Sequence, residues 1–151
     1  MRIAAANRLT RDFGDGHWSA HTNEAAVLRD MKASRVLAAR DGTAVIGTLT
    51  LQARKPWAID TSYFTQCSRV LYLINMAVDP DRQRSGVGRA LLAEALVVAS
   101  QFPAEALRLD AYDLPAGAGG FYRKCGWTHV GGQSYRGVPL LYFERMTGAA
   151  L

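Results

Sequence analysis

Six residues, Gln83-Arg84-Ser85-Gly86-Val87-Gly88, combine the types and spacing that capture phosphate. A glycine-containing turn running into a helix leaves backbone N–H groups without acceptors at the positive end of the helix dipole, where an anion is stabilised. Arg82, Arg84 and Arg89 flank the turn, and guanidinium groups suit phosphate oxygens. The plainer readings are an ordinary tight turn and a solvated helix start. Two nucleotide folds are excluded on chemistry. No Gly-Lys-Ser or Gly-Lys-Thr follows, so the lysine and metal-binding hydroxyl of a P-loop are missing, and Leu91 stands where a dinucleotide fingerprint needs its third glycine.

The elements around the turn make it more than a chance pair of glycines. The run Val70-Leu71-Tyr72-Leu73-Ile74 has the β-branched, leucine and aromatic content of a strand through Val78, and Asp79-Pro80 closes it. After the turn, Val87, Leu91, Ala95, Val98 and Phe102 recur at spacings of four, four, three and four, one buried face of a helix. Leu92, Leu96 and Ala99 widen that stripe, as expected of a helix packed on a sheet.

Composition sets the outer limits. The 151 residues suit one domain, spanning 1–151 and large enough to bury a core. With 49% hydrophobic and 21% charged residues the chain reads as globular. No apolar run reaches membrane-spanning length and the Met1-Arg2-Ile3-Ala4 start has no signal-peptide core, so the expectation is a cytoplasmic protein. Cys67 and Cys125 lack His or Cys neighbours at ligand spacing, which argues against a metal site. The net charge of +5 favours anionic ligands, but the arginines are scattered except around the glycine turn. That distribution suits a small phosphorylated molecule better than a nucleic-acid backbone.

The remaining chain alternates strand and helix signals. Arg2 to Ala6 reads as a short strand, Gly14-Asp15-Gly16 as a loop, and Ser19 to Met31 as a helix capped by Thr22 or Asn23 with Ala26, Val27 and Met31 on one side. Arg35 to Arg40, the Asp41-Gly42 turn and Thr43 to Gln52 form a β-hairpin pattern. Lys55 to Arg69 has no period yet holds Trp57, Tyr63 and Phe64, and an aromatic loop of that length is either functional or a covering flap. A strand over Ala106 to Tyr112, a short helix over Gly119 to Lys124 ended by Gly126, and strands near Trp127 to Tyr135 and Val138 to Met146 complete the order. The sum is an α/β (α+β) fold: one mixed, mostly antiparallel sheet flanked by helices rather than a doubly wound parallel one.

These residues carry a family resemblance. The chain resembles the GNAT superfamily, the acyl-CoA-dependent N-acetyltransferases. The family signature is Gln or Arg, two residues, Gly, one residue, then Gly or Ala, and Gln83, Gly86 and Gly88 match it. Downstream, Ala118-Gly119-Gly120-Phe121-Tyr122-Arg123-Lys124-Cys125-Gly126-Trp127 is similar to the family's Ala-x-x-Leu-Tyr-Glu-Lys-x-Gly-Phe, at the usual separation. The hairpin with Val45-Ile46-Gly47 also sits where a family hairpin would, so the resemblance covers roughly residues 20 to 146.

The resemblance implies acetyl-CoA as co-substrate, no metal, and a sheet splayed between the strands at 70–78 and 106–112 to take the pantetheine arm. Backbone groups of Gln83, Arg84, Ser85, Gly86, Val87, Gly88 and Arg89 would hold the pyrophosphate, and N–H groups from Met76 to Val78 would meet the thioester carbonyl as an oxyanion hole. The implied acceptor is a primary amine of a small molecule or peptide, with neither nucleic acid nor membrane as partner and a homodimer as the oligomer to test. An amine with pKa near 10.4 must lose a proton before attack, and the departing thiolate benefits from a donor. Tyr122 matches the family tyrosine that serves as this general acid.

The base has no such match. The family's fourth-strand glutamate is replaced by a strand carrying Tyr72 and Asn75, so the proton leaves through water or reaches Asp60, Asp110, Asp113, Glu24 or His21. Asp60 is the residue assigned to the amine side, although a solvated or capping role is the plainer reading for each, and His17 and His129 read as surface or strand residues. Pro115 replaces the family asparagine seven residues before the tyrosine, which leaves Asp113 as the nearby cofactor contact. These two departures also raise a non-catalytic CoA-binding or regulatory module as the alternative.

Overall fold

The computed structural model describes residues 2–13, 23–32 and 34–148. Its first element corrects the expected N-terminal strand: Arg2–Phe13 is a helix, α1. Ala4 to Ala6 are strong helix formers and poor strand residues, and the inward positions Arg2, Ala5, Ala6, Leu9 and Thr10 follow helical spacing. Helix α2, Glu24–Lys32, starts where Asn23 caps it by accepting from the Ala26 N–H at 3.0 Å. Ala26 and Val27 are half-buried, whereas Met31, one turn beyond Val27 and near the helix end, is 47% exposed. The expected loop at 14–16, Thr22, and the histidines at 17 and 21 lie outside the described residues.

Backbone contacts divide the chain into two compact units, Met1–Gln52 with Leu73–Ala95, and Ala53–Tyr72 with Leu96–Leu151. In the first, β1 (Arg35–Asp41) and β2 (Ala44–Gln52) pair antiparallel from Arg35↔Leu51 to Asp41↔Ala44. Gly42, at φ +58°, makes the tight turn between them. Strand β3, Val70–Val78, reaches this unit with its second half, and Asn75 at φ +53° interrupts its extended backbone. Helix α3, Val87–Gln101, buries Leu91, Leu92 and Ala95 in its first half. Val98 and Ala99 continue that face, whereas Phe102 falls just past the helix and is 49% exposed.

The second unit is built on β4 (Ala106–Tyr112), β5 (Thr128–Tyr135) and β6 (Val138–Met146), with the short helix α4 (Gly119–Lys124). β6 pairs antiparallel with β4 and with β5. The start of β3 pairs parallel with β4 through only Val70↔Ala106, Leu71↔Leu107 and Tyr72↔Arg108. The paired stretch ends at Tyr72↔Arg108. Strand order β1-β2-β3-β4-β6-β5 gives a six-stranded sheet, mixed and mostly antiparallel as the sequence pattern predicts.

One face of the second unit's sheet is covered by its own long loop. Ile59 and Phe64 from that loop bury themselves on Tyr72, Leu140 and Tyr142. Gly131, at φ +148°, leaves the space that the Tyr63 ring fills, and a Cβ there would collide with it. The aromatic stretch is therefore ordered on the sheet. Among the described residues no helix is long and apolar enough to cross a membrane.

Candidate functional site

The glycine turn is held from several sides of its own unit. At the end of β3, the Asp79 N–H donates to the Ile46 carbonyl at 2.9 Å, and the Asp79 carboxylate caps a 3-10 turn over Pro80–Arg82 by accepting from Asp81 at 3.0 Å. Arg8 of α1 donates to the Pro80 carbonyl at 3.2 Å, and Arg82 pairs with Asp41 at 2.6 Å. Arg82 is thereby engaged with protein, while Arg84 and Arg89 remain exposed without an ion pair among the described residues.

Backbone conformation turns this loop into a donor surface. Arg84 and Gly86 are left-handed, at φ +61° and +89°, and the Ser85 hydroxyl donates to the Arg82 carbonyl. The first intrahelical bond of α3 runs from the Ala90 N–H to the Gly86 carbonyl at 3.0 Å. The N–H groups of Val87, Gly88 and Arg89 therefore have no partner within the helix. Three such donors at a positive helix end, beside two unpaired guanidinium groups, fit a pyrophosphate.

In the second unit, Tyr122 occupies the centre of an aromatic cluster. Its ring centroid lies 5.4 Å from that of Phe121, 5.9 Å from Trp127 and 5.7 Å from Phe143. Burial pushes its hydroxyl well above the ordinary phenol range, and the nearby Asp110 carboxylate and Cys125 add to the rise. Asp110 sits on β4 beyond the last residue paired with β3, opposite Tyr142 of β6. It is half-buried, and burial raises its pKa against the opposing hydrogen bond from its own N–H. A carboxylate so placed is a better proton acceptor than a solvated one.

The chain matches the Acetyltransferase (GNAT) family over residues 3–127. It belongs to that family. It is accordingly an acyltransferase. No curated protein matches at a significant level. Among solved structures it is similar to a ribosomal-protein-alanine N-acetyltransferase from Brucella melitensis, at 19% identity and TM-score 0.67 over 95% of this chain and 91% of the other. An aminoglycoside 6'-acetyltransferase type Ii is also similar, at 17% identity and TM-score 0.67 over 97% and 89%. So is an aminoglycoside 6'-N-acetyltransferase complexed with coenzyme A, at 15% identity and TM-score 0.66 over 97% and 90%. These likenesses establish the shared fold.

Within this GNAT acetyltransferase the expected site residues sit in different surroundings. Gln83 to Gly86 are exposed and lead directly into Val87, Gly88 and Arg89 at the start of α3, and Met76 and Val78 follow Asn75 on β3. Asp60 is occupied: its carboxylate accepts from the Ser62 N–H at 2.9 Å and the Ser62 hydroxyl at 2.7 Å. The backbone bond above all holds its pKa below the usual carboxylate range, which makes it a weak base. Asp113 is exposed, with its N–H donating to the Pro139 carbonyl at 3.0 Å. Glu24 is exposed in the first turn of α2, and the His129 ring lies tilted against Phe143 with centroids 5.5 Å apart.

Sequence reasoning missed two features of the enzyme. Arg108 and Glu144 form a buried pair at 2.8 Å, 6% and 4% exposed. The Tyr142 hydroxyl donates to the Ala58 carbonyl at 2.5 Å and accepts from the Asp60 N–H at 3.2 Å, contacts across more than eighty residues that no local pattern announces. The signal for the first was present: Arg108 and Asp110 alternate inside an otherwise apolar strand, so both face one side. Among the described residues no cluster of His, Cys, Asp or Glu is placed to hold a metal.

Proposed function

We propose that this enzyme transfers an acetyl group from acetyl-CoA to a primary amine by direct attack within a ternary complex. The observation that carries the reading is the donor surface at the start of α3, where Val87, Gly88 and Arg89 N–H groups follow two left-handed residues. When bound, acetyl-CoA supplies the thioester whose C–S bond is exchanged for a C–N bond. The turn residues Gln83 to Arg89 bind the pyrophosphate, and N–H groups after the Asn75 irregularity, from Met76 to Val78, face the carbonyl oxygen as charge develops on it.

Asp110 is the favoured base in this reading, ahead of Asp60. Its raised pKa and half-buried position suit it to hold the acceptor's ammonium group and take its proton. Tyr122 meets the departing sulfur. Its own raised pKa keeps the hydroxyl protonated, and because a thiol's pKa is only about 8.5, the phenol acts chiefly by hydrogen bonding to the developing thiolate. Asp113 stays a peripheral contact candidate for the cofactor.

The test is thiol release from acetyl-CoA across a panel of small-molecule and peptide amines, paired with a CoA-dependent shift in melting temperature. Stabilisation by CoA together with amine-dependent thiol release is expected. Absence of both defeats the reading.

A further inference from the structure

We propose that Gly47 is a positioning residue for the phosphate-binding turn, because its missing side chain sets where the first turn of α3 can sit. The inference rests on the pyrophosphate reading above. Gly47 is buried in β2, and a Cβ built on it would lie 2.7 Å from Val87 Cγ1 and 2.9 Å from Leu91 Cδ1, with the Ala77 carbonyl oxygen at 3.6 Å. Ordinary contact begins at 3.4 Å, so something must move.

The two neighbours differ in what they can give. Leu91 Cδ1 is the far end of a flexible side chain and can swing aside. Val87 is β-branched, with one strongly preferred rotamer in a helix, and its Cγ atoms are fixed close to the backbone. Relief at Val87 therefore requires the helix backbone itself to shift. The strand cannot yield instead, because Gly47 is paired with Ala39 in the hairpin and the adjacent Ile46 carbonyl is bonded to Asp79 at 2.9 Å.

The displaced residue is the one whose N–H opens the donor surface. Val87 is the first residue of α3, and Gly88 and Arg89 follow it rigidly. Hydrogen bonds weaken steeply with misalignment, so a shift that relieves the contact degrades all three donors together. Gly47 thus acts on the cofactor's phosphates without touching them, and contacts to the pantetheine arm should be spared.

Calorimetric titration of CoA and of pantetheine, on the wild-type chain, Gly47→Ala and Gly47→Ala/Val87→Ala, separates the possibilities, with thermal unfolding run alongside. Gly47→Ala should weaken CoA binding about tenfold, equivalent to about 1.4 kcal/mol. Pantetheine binding should change by less than about twofold, and trimming Val87 should recover most of the CoA affinity. Unchanged CoA affinity in Gly47→Ala overturns the proposal, as does equal weakening of both ligands or a double variant that recovers nothing, including one that remains unfolded. A wild-type chain that binds CoA no tighter than pantetheine overturns the pyrophosphate reading itself, and this inference with it.

Discussion

Replacing Asp110 by asparagine should move activity and stability in opposite directions. Burial raises the pKa of this carboxylate in the folded enzyme relative to an unfolded chain. A group raised in this way contributes stability below its unfolded value, near 3.9 for an aspartate, and that contribution is lost as pH rises through the folded value. At pH 7 to 8, where the proposed base would be ionised, the charge is a net cost to folding. Asparagine keeps the shape and removes the charge. The variant should gain about 0.5–2 kcal/mol at pH 7, in the range of relieved functional strain, and Tm should rise about 1–8 °C for a chain of this size. The gain should shrink as pH falls toward the ordinary carboxylate range, where both proteins are neutral at this position. Loss of a general base should lower kcat/KM by about 10²–10⁴, or about 3–5 kcal/mol of barrier. Thermal unfolding from pH 4 to 8 and steady-state thiol release measure the two effects. A variant that keeps its activity, or loses Tm along with it, refutes the reasoning.

Tyr122→Phe retains the ring contacts with Phe121, Trp127 and Phe143 and removes only the hydroxyl. Its kcat should fall about 10²–10³ with CoA affinity nearly unchanged, and an unaltered kcat excludes the donor role. Glu144→Ala strands the Arg108 guanidinium in a buried site and removes the acceptor of the Thr65 N–H at 3.2 Å. It should cost about 3–5 kcal/mol, and denaturant unfolding that shows a loss below about 1 kcal/mol contradicts this assignment.

Much of this architecture was legible because local chemistry and tertiary packing agree. Gln83 to Gly88 needed glycine at a left-handed position before a helix, and the buried stripe of Leu91, Ala95 and Val98 follows directly from 3.6-residue periodicity. Gly119 to Lys124 and the two final strands were equally local signals. Where local signals fall short, the decisive term lies elsewhere. A short window over Arg2 to Ala6 could not distinguish a strand from a helix that continues to Phe13. Asp60 offered a carboxylate in an aromatic loop, but its engagement depends on Ser62 closing a turn. Asp110 looked like any solvated acid, and its environment depends on β6 and α4, contributed by residues far along the chain.

Besides the buried Ile59 and Phe64, the long loop of the second unit is held through its backbone. Tyr142 bonds the Ala58 carbonyl and the Asp60 N–H, Glu144 takes the Thr65 N–H, Arg108 donates to the Thr65 carbonyl, and Glu105 takes the Ser68 N–H at 3.0 Å. None of these bonds reads the identity of a loop side chain. The sheet thus specifies the loop's path while leaving positions such as Trp57, 80% exposed, free to be exchanged. For engineering, this makes the segment an interchangeable surface: libraries built at its exposed positions should keep one backbone, whereas a single change at Tyr142 or Glu144 should unsettle them all.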